Sequence, residues 1–173
     1  RELGKAIEEE FPTVPVHVWA AKEFHLRVAR WAAERGIARF VRAGAVTWAP
    51  NGRNIHEAAR EVIPAAEVVY VNRDAEAADW AREQLADSPG LASVRASVLR
   101  PAEVLEAPEI AALLAPHRPV CLILGMVLHF APAEHAAAVT AAYARALPSG
   151  SAIAVSVALP DDSPQADRLL AMF

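Results

Sequence analysis

The chain has 173 residues, a net charge of −4, 54% hydrophobic residues and 22% charged residues. This balance is typical of a single domain with a packed core and disfavours disorder. A nucleic-acid-binding protein would normally carry a basic excess, which this chain lacks. The 40 alanines favour a helix-rich fold, because alanine is the strongest helix former.

The cysteine content argues against disulfide-rich and cysteine-zinc proteins, and the length of the apolar runs argues against a membrane-spanning protein. Cys121 is the only cysteine, which excludes an intrachain disulfide framework and a cysteine-based zinc cluster and favours a reducing, cytoplasmic compartment. The longest apolar run, residues 119–128, is half of the roughly 20 residues that span a bilayer, and no signal peptide is visible. Because the first residue is Arg1 rather than Met, we expect a piece of a longer protein.

Helix-forming patterns open the chain. Residues 2–11 are charged and helix-prone, and Pro12 ends this segment. A second helix is predicted over residues 16–35, because apolar residues recur there near helical spacing and Gly36 follows as a C-cap. The recurring apolar residues are Trp19, Phe24, Val28 and Trp31. We interpret residues 1–35 as a helical cap and residues 36–173 as the core of the same domain.

Strand and helix patterns alternate after Gly36. The predicted strands are residues 37–43, 67–71, 93–98, 120–127 and 151–158. The predicted helices are residues 55–63, 75–86, 109–114, 133–147 and 163–173. Strict alternation with near-continuous apolar strands predicts an α/β fold with a parallel sheet and helices on both faces. In such a sheet a ligand lies beyond the carboxyl ends of the strands.

Several residues near these strand ends have two interpretations each. Gly44 either shapes a turn that faces a ligand or makes a tight strand-to-helix turn. Asp74 either reaches a ligand or caps the following helix, and the second interpretation is favoured. Asn54 and Glu57 fit a capping box in the same way.

Histidines offer one candidate catalytic group. His129 follows the fourth strand, where a substrate would meet it, and is either a general base or a packed side chain. His56 is interpreted as packed or hydrogen-bonded. The other four histidines lack metal-ligand spacing, so no metal site is predicted and they are interpreted as surface residues: His17, His25, His117 and His135.

Trp48 and three arginines also have two interpretations each. Trp48 either stacks on a planar ligand or plugs the pocket, and the size of its indole favours the plug. Three arginines follow or end strands, and they form either an anion site or ion pairs, for instance with Asp74. These are Arg42, Arg53 and Arg73.

Four segments carry a resemblance to a known family. Residues 33–40 (AERGIARF) lead into the first strand, and residues 52–57 (GRNIHE) match G-N-V-H-E with one extra residue. Residues 68–74 (VVYVNRD) match V-V-Y-V-D-x-D, and residues 118–130 (RPVCLILGMVLHF) match R-P-V-x-L-L-L-x-x-V-L-H-F. Over nearly its whole length the chain resembles the class I, Rossmann-like S-adenosyl methyltransferases whose first strand ends in F-L-D-I-G-x-G-L-P-T.

The resemblance implies a doubly wound sheet of strand order 3-2-1-4-5 and an S-adenosylmethionine site at its strand ends. It also implies a motif before Arg1 and terminal antiparallel strands after Phe173. The chain departs from the family at its acidic positions, where Arg42, Asn72 and Ser97 replace three carboxylates. The turn at Gly44 lacks the family's second glycine.

These departures lead to three hypotheses. In the first, the cofactor site is degenerate. Its vestigial positions are Gly44, Asn72 and Ser97, and Arg42 and Trp48 replace family residues. The protein is then a non-catalytic or weakly active binding or scaffold member, with a partner protein or a second copy. In the second, it is an active methyltransferase on a small molecule with a remodelled site. In the third, an enzyme reuses the cleft for an anionic ligand.

Overall fold

The computed structural model describes residues 14–44, 53–115 and 117–158. Its strands are β1 (Arg39–Gly44), β2 (Glu67–Asn72), β3 (Leu91–Arg95), β4 (Val120–Gly125) and β5 (Ala152–Ser156). Its α-helices are α1 (Val14–Glu34), α2 (Ile55–Arg60), α3 (Ala75–Leu85), α4 (Pro101–Leu105), α5 (Pro108–Leu114) and α6 (Ala133–Ala146). A 3-10 helix, Leu128–Phe130, follows β4. The predicted helices over residues 2–11 and 163–173 lie outside the described residues.

The five strands form one parallel sheet in the order β3-β2-β1-β4-β5, which confirms the predicted fold class and strand order. The chain runs outward from β1 through β2 to β3, and the second half begins again beside β1 with β4. The order therefore reverses between β1 and β4. In an open α/β sheet such a reversal leaves a crevice at the carboxyl ends of the two central strands.

Alternation of side chains along the strands divides the core between the two faces of the sheet. Val41 and Ala43 belong to a cluster that includes buried residues of α4, α5 and α6. Phe40 belongs to a second cluster, which includes residues of α1, α2 and α3. Because both faces are covered, every residue of β4 is buried, and its sequence VCLILG is apolar without alternation.

Strand ends differ from the prediction by up to three residues, and two of these differences have a clear physical cause. β3 runs from Leu91 to Arg95, two residues earlier than predicted, because its pairing with β2 starts at Leu91 opposite Val68. β4 ends at Gly125, because Met126 has a positive φ of 52° and breaks the strand. In both cases the pairing or the backbone, and not the apolar pattern, sets the end of the strand.

The buried face of α1 is not the face that its large apolar residues suggest. Trp19 is 64% exposed and Trp31 is 45% exposed, with the Arg35 guanidinium 4.3 Å from the Trp31 ring centre. The residues of α1 that are buried against the sheet are mostly small: His25, Leu26, Ala29, Ala32 and Ala33. Small side chains allow the helix to approach the sheet closely.

β5 is one of the two edge strands of the sheet in the described part of the chain, and β3 is the other. β5 pairs with β4 alone among the described strands, and Val155 and Val157 are exposed there. None of the described helices combines the length and the apolar character that crossing a bilayer requires.

Candidate functional site

The carboxyl ends of β1 and β4 meet at the reversal of strand order. Gly44, the last residue of β1, pairs in register with Gly125, the last residue of β4. On the other side of β1, Ala43 pairs with Val71, and Asn72 ends β2 one residue later. The strand-end residues singled out in the sequence are thus brought to one edge of the sheet.

Gly44 is required by a close approach between two backbones. Its φ is +140°, in a region that side chains rarely adopt, and a Cβ placed on it would overlap the carbonyl of Gly125. The close contact with Gly125 requires a glycine at position 44 whether or not a ligand binds. Neither of the two interpretations of Gly44 is needed to explain this requirement.

Arg42 lies at the centre of this edge. Its side chain is 4% exposed, and its guanidinium Nη1 donates a hydrogen bond of 2.7 Å to the carbonyl oxygen of Ala43. A Cβ on Gly125 would lie 2.5–2.6 Å from Nη1, Nη2 and Cζ of Arg42, so the absence of a side chain at Gly125 makes room for the guanidinium. Burial lowers the pKa of Arg42 to about 10, partly offset by Tyr70, so the group remains cationic at neutral pH.

The three arginines of the sequence hypothesis do not share one role. Arg53 forms an ion pair with Glu61, which also pairs with Arg30 of α1. Arg73 is exposed beyond β2. Only Arg42 of the three is buried at the sheet edge, so a cluster of three guanidinium groups is not formed.

Asn72 and Asp74 shape the turn after β2. The Asn72 Oδ1 accepts the backbone N–H of Asp74 at 3.1 Å, and Asp74 Oδ1 accepts the N–H of Ala77 at 2.8 Å. Asp74 is therefore the N-cap of α3, as predicted. Asn72 is nearly buried, and its amide lies at the position where the resemblance places a ribose-binding carboxylate.

The segment after β3 contacts a carboxylate that no sequence pattern indicated. The backbone N–H of Ser97 donates to Glu103 Oε2 at 3.2 Å, and Glu103 also pairs with Arg100 at 2.8 Å. Glu103 belongs to α4, a helix that was not among the predicted elements. Pro101 at the first position of α4 was the available signal, because proline is favoured there.

His25 is buried, and its interpretation as a surface residue is wrong. It occupies the inner face of α1, four residues before the fully buried Ala29, and its Nε2 lies 2.8 Å from the Ser156 Oγ at the end of β5. The same Oγ accepts the N–H of Met126 at 3.2 Å. Burial, and secondarily the charge of Arg42, lowers the pKa of His25 to about 3.

Acidification below pH 6.5 is expected to destabilise the protein through His25. The unfolded chain protonates this imidazole near pH 6.5, whereas the folded protein keeps it neutral down to about pH 3. The unfolded state thus binds more protons in this window, and stability falls as the pH falls. Between pH 7 and pH 5 the loss from this group is about 2 kcal/mol.

Denaturant unfolding of His25→Gln at the two pH values measures this loss. The variant is expected to lose about 2 kcal/mol less than the wild type between pH 7 and pH 5. His17→Gln, on the exposed side of α1, serves as the control and should show the wild-type pH dependence. An equal loss in the wild type and His25→Gln would contradict the assignment.

His56 and the capping box at the start of α2 make contacts within the protein that have a structural role. The His56 Nδ1 lies 2.7 Å from the Tyr70 hydroxyl, and both side chains are buried. Burial lowers the pKa of His56 and raises that of Tyr70, so the pair is neutral. Glu57 accepts the backbone N–H of Asn54 at 2.6 Å, which confirms the predicted capping box.

His129 is half-buried in the 3-10 helix after β4. Its Nδ1 accepts the backbone N–H of Ala158 at 3.3 Å, and its ring centre lies 4.0 Å from that of Phe130, with the two rings tilted by 49°. Because Nδ1 accepts this bond, the neutral ring carries its proton on Nε2. Burial lowers the pKa of His129, so this neutral form is favoured. In this tautomer Nε2 can donate a hydrogen bond but cannot accept one. The general-base interpretation of His129 stays a prediction.

Trp48 and the rest of residues 45–52 lie outside the described residues, so neither interpretation of Trp48 is tested. Cys121 is fully buried in β4, as expected for a core residue. Within residues 14–44, 53–115 and 117–158, no three potential metal ligands converge.

Comparison with known proteins identifies one family and several similar solved structures. A family model described as S-adenosyl methyltransferase matches residues 1–172. A candidate methyltransferase from Thermobifida fusca YX has 28% sequence identity and a TM-score of 0.87 over 99% of this chain and 64% of its own. A DUF574 family protein from Streptomyces avermitilis has 35% identity and a TM-score of 0.82 over 98% of this chain and 66% of its own. The chain therefore spans about two thirds of either structure's length. No curated protein matches it.

Proposed function

Since this chain belongs to the S-adenosyl methyltransferase family, we propose that its strand-end site is a degenerate cofactor site that binds S-adenosylmethionine weakly. The protein then acts as a non-catalytic or weakly active binding or scaffold member of the family. A cytoplasmic location, expected from the single thiol, is part of this proposal.

The buried guanidinium of Arg42 carries this proposal. S-adenosylmethionine brings a sulfonium and an ammonium to the strand ends, and Arg42 places a third cation there. The guanidinium is desolvated, so solvent screens its charge poorly. Like charges repel strongly where solvent is excluded, which supports the proposal that the residues present do not fit the cationic half of the cofactor.

Loss of carboxylates adds to this effect. Asn72 and Ser97 replace groups that would make charge-assisted hydrogen bonds, each worth roughly 1.5–3 kcal/mol. Asn72 still accepts hydrogen bonds, although its Oδ1 already takes the Asp74 N–H. A total loss of a few kcal/mol weakens binding by about two to three decades.

The exposed side of β5 supports the scaffold part of the proposal. A strand that pairs on one side presents backbone groups to a neighbour, and proteins usually cover such edges. Val155 and Val157 add apolar surface there. We propose that a partner protein, a second copy of this chain or a further segment covers this side.

Glu103 favours a second candidate, an active methyltransferase with a remodelled site. Its carboxylate accepts the Ser97 N–H and so places an acidic side chain, ion-paired with Arg100, at the end of β3. A single restored carboxylate would recover part of the lost affinity, and tight cofactor binding to the unmodified protein would favour this candidate.

Calorimetric titration of the protein with S-adenosylmethionine and S-adenosylhomocysteine tests the proposal. We expect a Kd for S-adenosylmethionine no better than millimolar, because the site has lost negative charge and gained a cation. The homocysteine product lacks the sulfonium and should bind more tightly than the cofactor. Micromolar binding of S-adenosylmethionine would refute the proposal and favour the active enzyme.

Reversion of the charges provides the matched comparison in the same titration. The triple variant Arg42→Asp, Asn72→Asp, Ser97→Asp is expected to gain affinity only when Trp48→Ala is added, because the plug interpretation requires both charge and space. Circular dichroism verifies that each variant is folded. A gain in the triple variant alone would show that Trp48 does not occupy the site.

A further inference from the structure

One side of α1 carries a ridge of four side chains that includes two tryptophans. Trp19, Glu23, Arg27 and Trp31 follow one another at intervals of four residues. Residues four apart are neighbours on a helix surface, so these side chains form one continuous row. Trp19, Arg27 and Trp31 are exposed, and Glu23 is partly buried. The residues of α1 that pack against the sheet lie on other sides of the helix.

The two tryptophans make this ridge unlike an ordinary solvent-facing helix surface. Tryptophan is enriched at the centres of protein interfaces and among the residues that contribute most to binding. The guanidinium of Arg35, just after α1, lies over the Trp31 ring and donates a hydrogen bond of 3.2 Å to the Trp31 carbonyl oxygen. A ring that is already held in place loses little conformational entropy when a partner covers it.

Between the tryptophans the ridge carries one charge of each sign. Neither Glu23 nor Arg27 forms an ion pair in the part of the chain that the structure describes. The neighbouring Arg30 differs, because it pairs with Glu61 at the end of α2. Both charges of the ridge can therefore pair with a partner of complementary charge.

The ridge is complementary to itself when two copies run antiparallel. Trp19 and Trp31 lie six residues before and after position 25, and Glu23 and Arg27 lie two residues before and after it. A two-fold axis at this level therefore brings each tryptophan to the other tryptophan of the partner and each glutamate to an arginine. Ridges of four-residue spacing also interdigitate in the commonest class of helix pairs.

From this symmetry we infer that α1 is the interface of a homodimer, in which the ridges of two copies pack antiparallel. Trp19 packs on the partner's Trp31, Glu23 pairs with the partner's Arg27, and each contact occurs twice. The ridge and its neighbours are fewer than the roughly 20–30 residues per side of a standard interface, so we expect a dissociation constant in the micromolar range. The inference goes beyond the proposed function and does not depend on the affinity for S-adenosylmethionine.

Sedimentation equilibrium of the unmodified protein over a series of concentrations tests this dimer. We expect a reversible monomer–dimer equilibrium that is at least about tenfold weaker in Trp19→Ala and in Trp31→Ala, because each substitution removes its ring from both copies. Trp80→Ala is the matched control, since Trp80 is an exposed tryptophan of α3 outside the ridge, and it should dimerise like the wild type. A protein that stays monomeric up to about 1 mM overturns the inference.

Opposite charge reversals test the antiparallel register. Glu23→Arg leaves two arginines in the ridge and Arg27→Glu leaves two glutamates, so each variant alone should dimerise at least about tenfold more weakly than the wild type. An equimolar mixture of the two variants should form a heterodimer, because every arginine then faces a glutamate across the interface. If the mixture associates no more tightly than either variant alone, the antiparallel pairing is wrong.

Val157→Glu distinguishes this interface from the exposed edge at β5. Val157 is exposed beyond β5 and outside the ridge, so the substitution should leave the α1 dimer unchanged. A dimer that Val157→Glu abolishes and Trp19→Ala preserves would place the second copy at β5. That result would overturn this inference and would support the covering of β5 in the proposed function.

Discussion

Gly44→Ala is expected to lower the free energy of unfolding by about 2–6 kcal/mol, since strain and overpacking each cost about 1–3 kcal/mol. The strain arises because φ at Gly44 is +140°, and the overpacking because the new Cβ overlaps the Gly125 carbonyl. The clashing atoms belong to the backbone of a central strand, so no side chain can move to relieve the contact. Urea unfolding monitored by circular dichroism measures the loss.

Gly36→Ala is the matched control for Gly44→Ala. Gly36 also has a positive φ, +80°, but a Cβ there meets nothing within 4 Å. The control therefore carries only the conformational cost of a left-handed residue, about 1–2 kcal/mol. Equal destabilisation by the two substitutions would show that the contact between β1 and β4 is looser than described.

Gly125→Ala is expected to destabilise the protein strongly only while Arg42 is present. The three atoms nearest to a Cβ on Gly125 all belong to the guanidinium of Arg42, at 2.5–2.6 Å. The guanidinium is buried and bonded to Ala43, so its displacement strands a desolvated charge. In the Arg42→Ala background the added methyl group occupies the vacated space.

A double-mutant cycle measures this dependence. We expect Gly125→Ala to cost about 2–3 kcal/mol less in the Arg42→Ala background than in the wild type, at the upper end of coupling energies between contacting residues. Gly150→Ala lies against Pro119 and not Arg42, and its cost should be the same in both backgrounds within about 0.5 kcal/mol. Additive costs for Gly125→Ala would place the guanidinium elsewhere.

Local patterns were sufficient for the architecture. The continuous apolar run that contains β4 and the alternation of strands with helices predicted a covered parallel sheet, because only such a sheet buries both faces of a strand. The caps Asp74 and Asn54 were also predictable, since capping depends on a side chain and backbone groups two or three residues away. The replacement of acids by Arg42, Asn72 and Ser97 could be read from the sequence through the family motif.

The contacts of the site required the tertiary structure. No pattern along the chain places Glu103 on the Ser97 N–H, because this bond depends on how α4 folds back after β3. His25 was misjudged because the absence of metal-ligand spacing does not show which face of α1 meets the sheet, and that face decides its burial. The sequence by itself determined the order of elements and the charges at the strand ends, which are local properties. Only the tertiary structure decided that the Arg42 guanidinium is buried against Gly125, because that contact joins residues more than 80 positions apart.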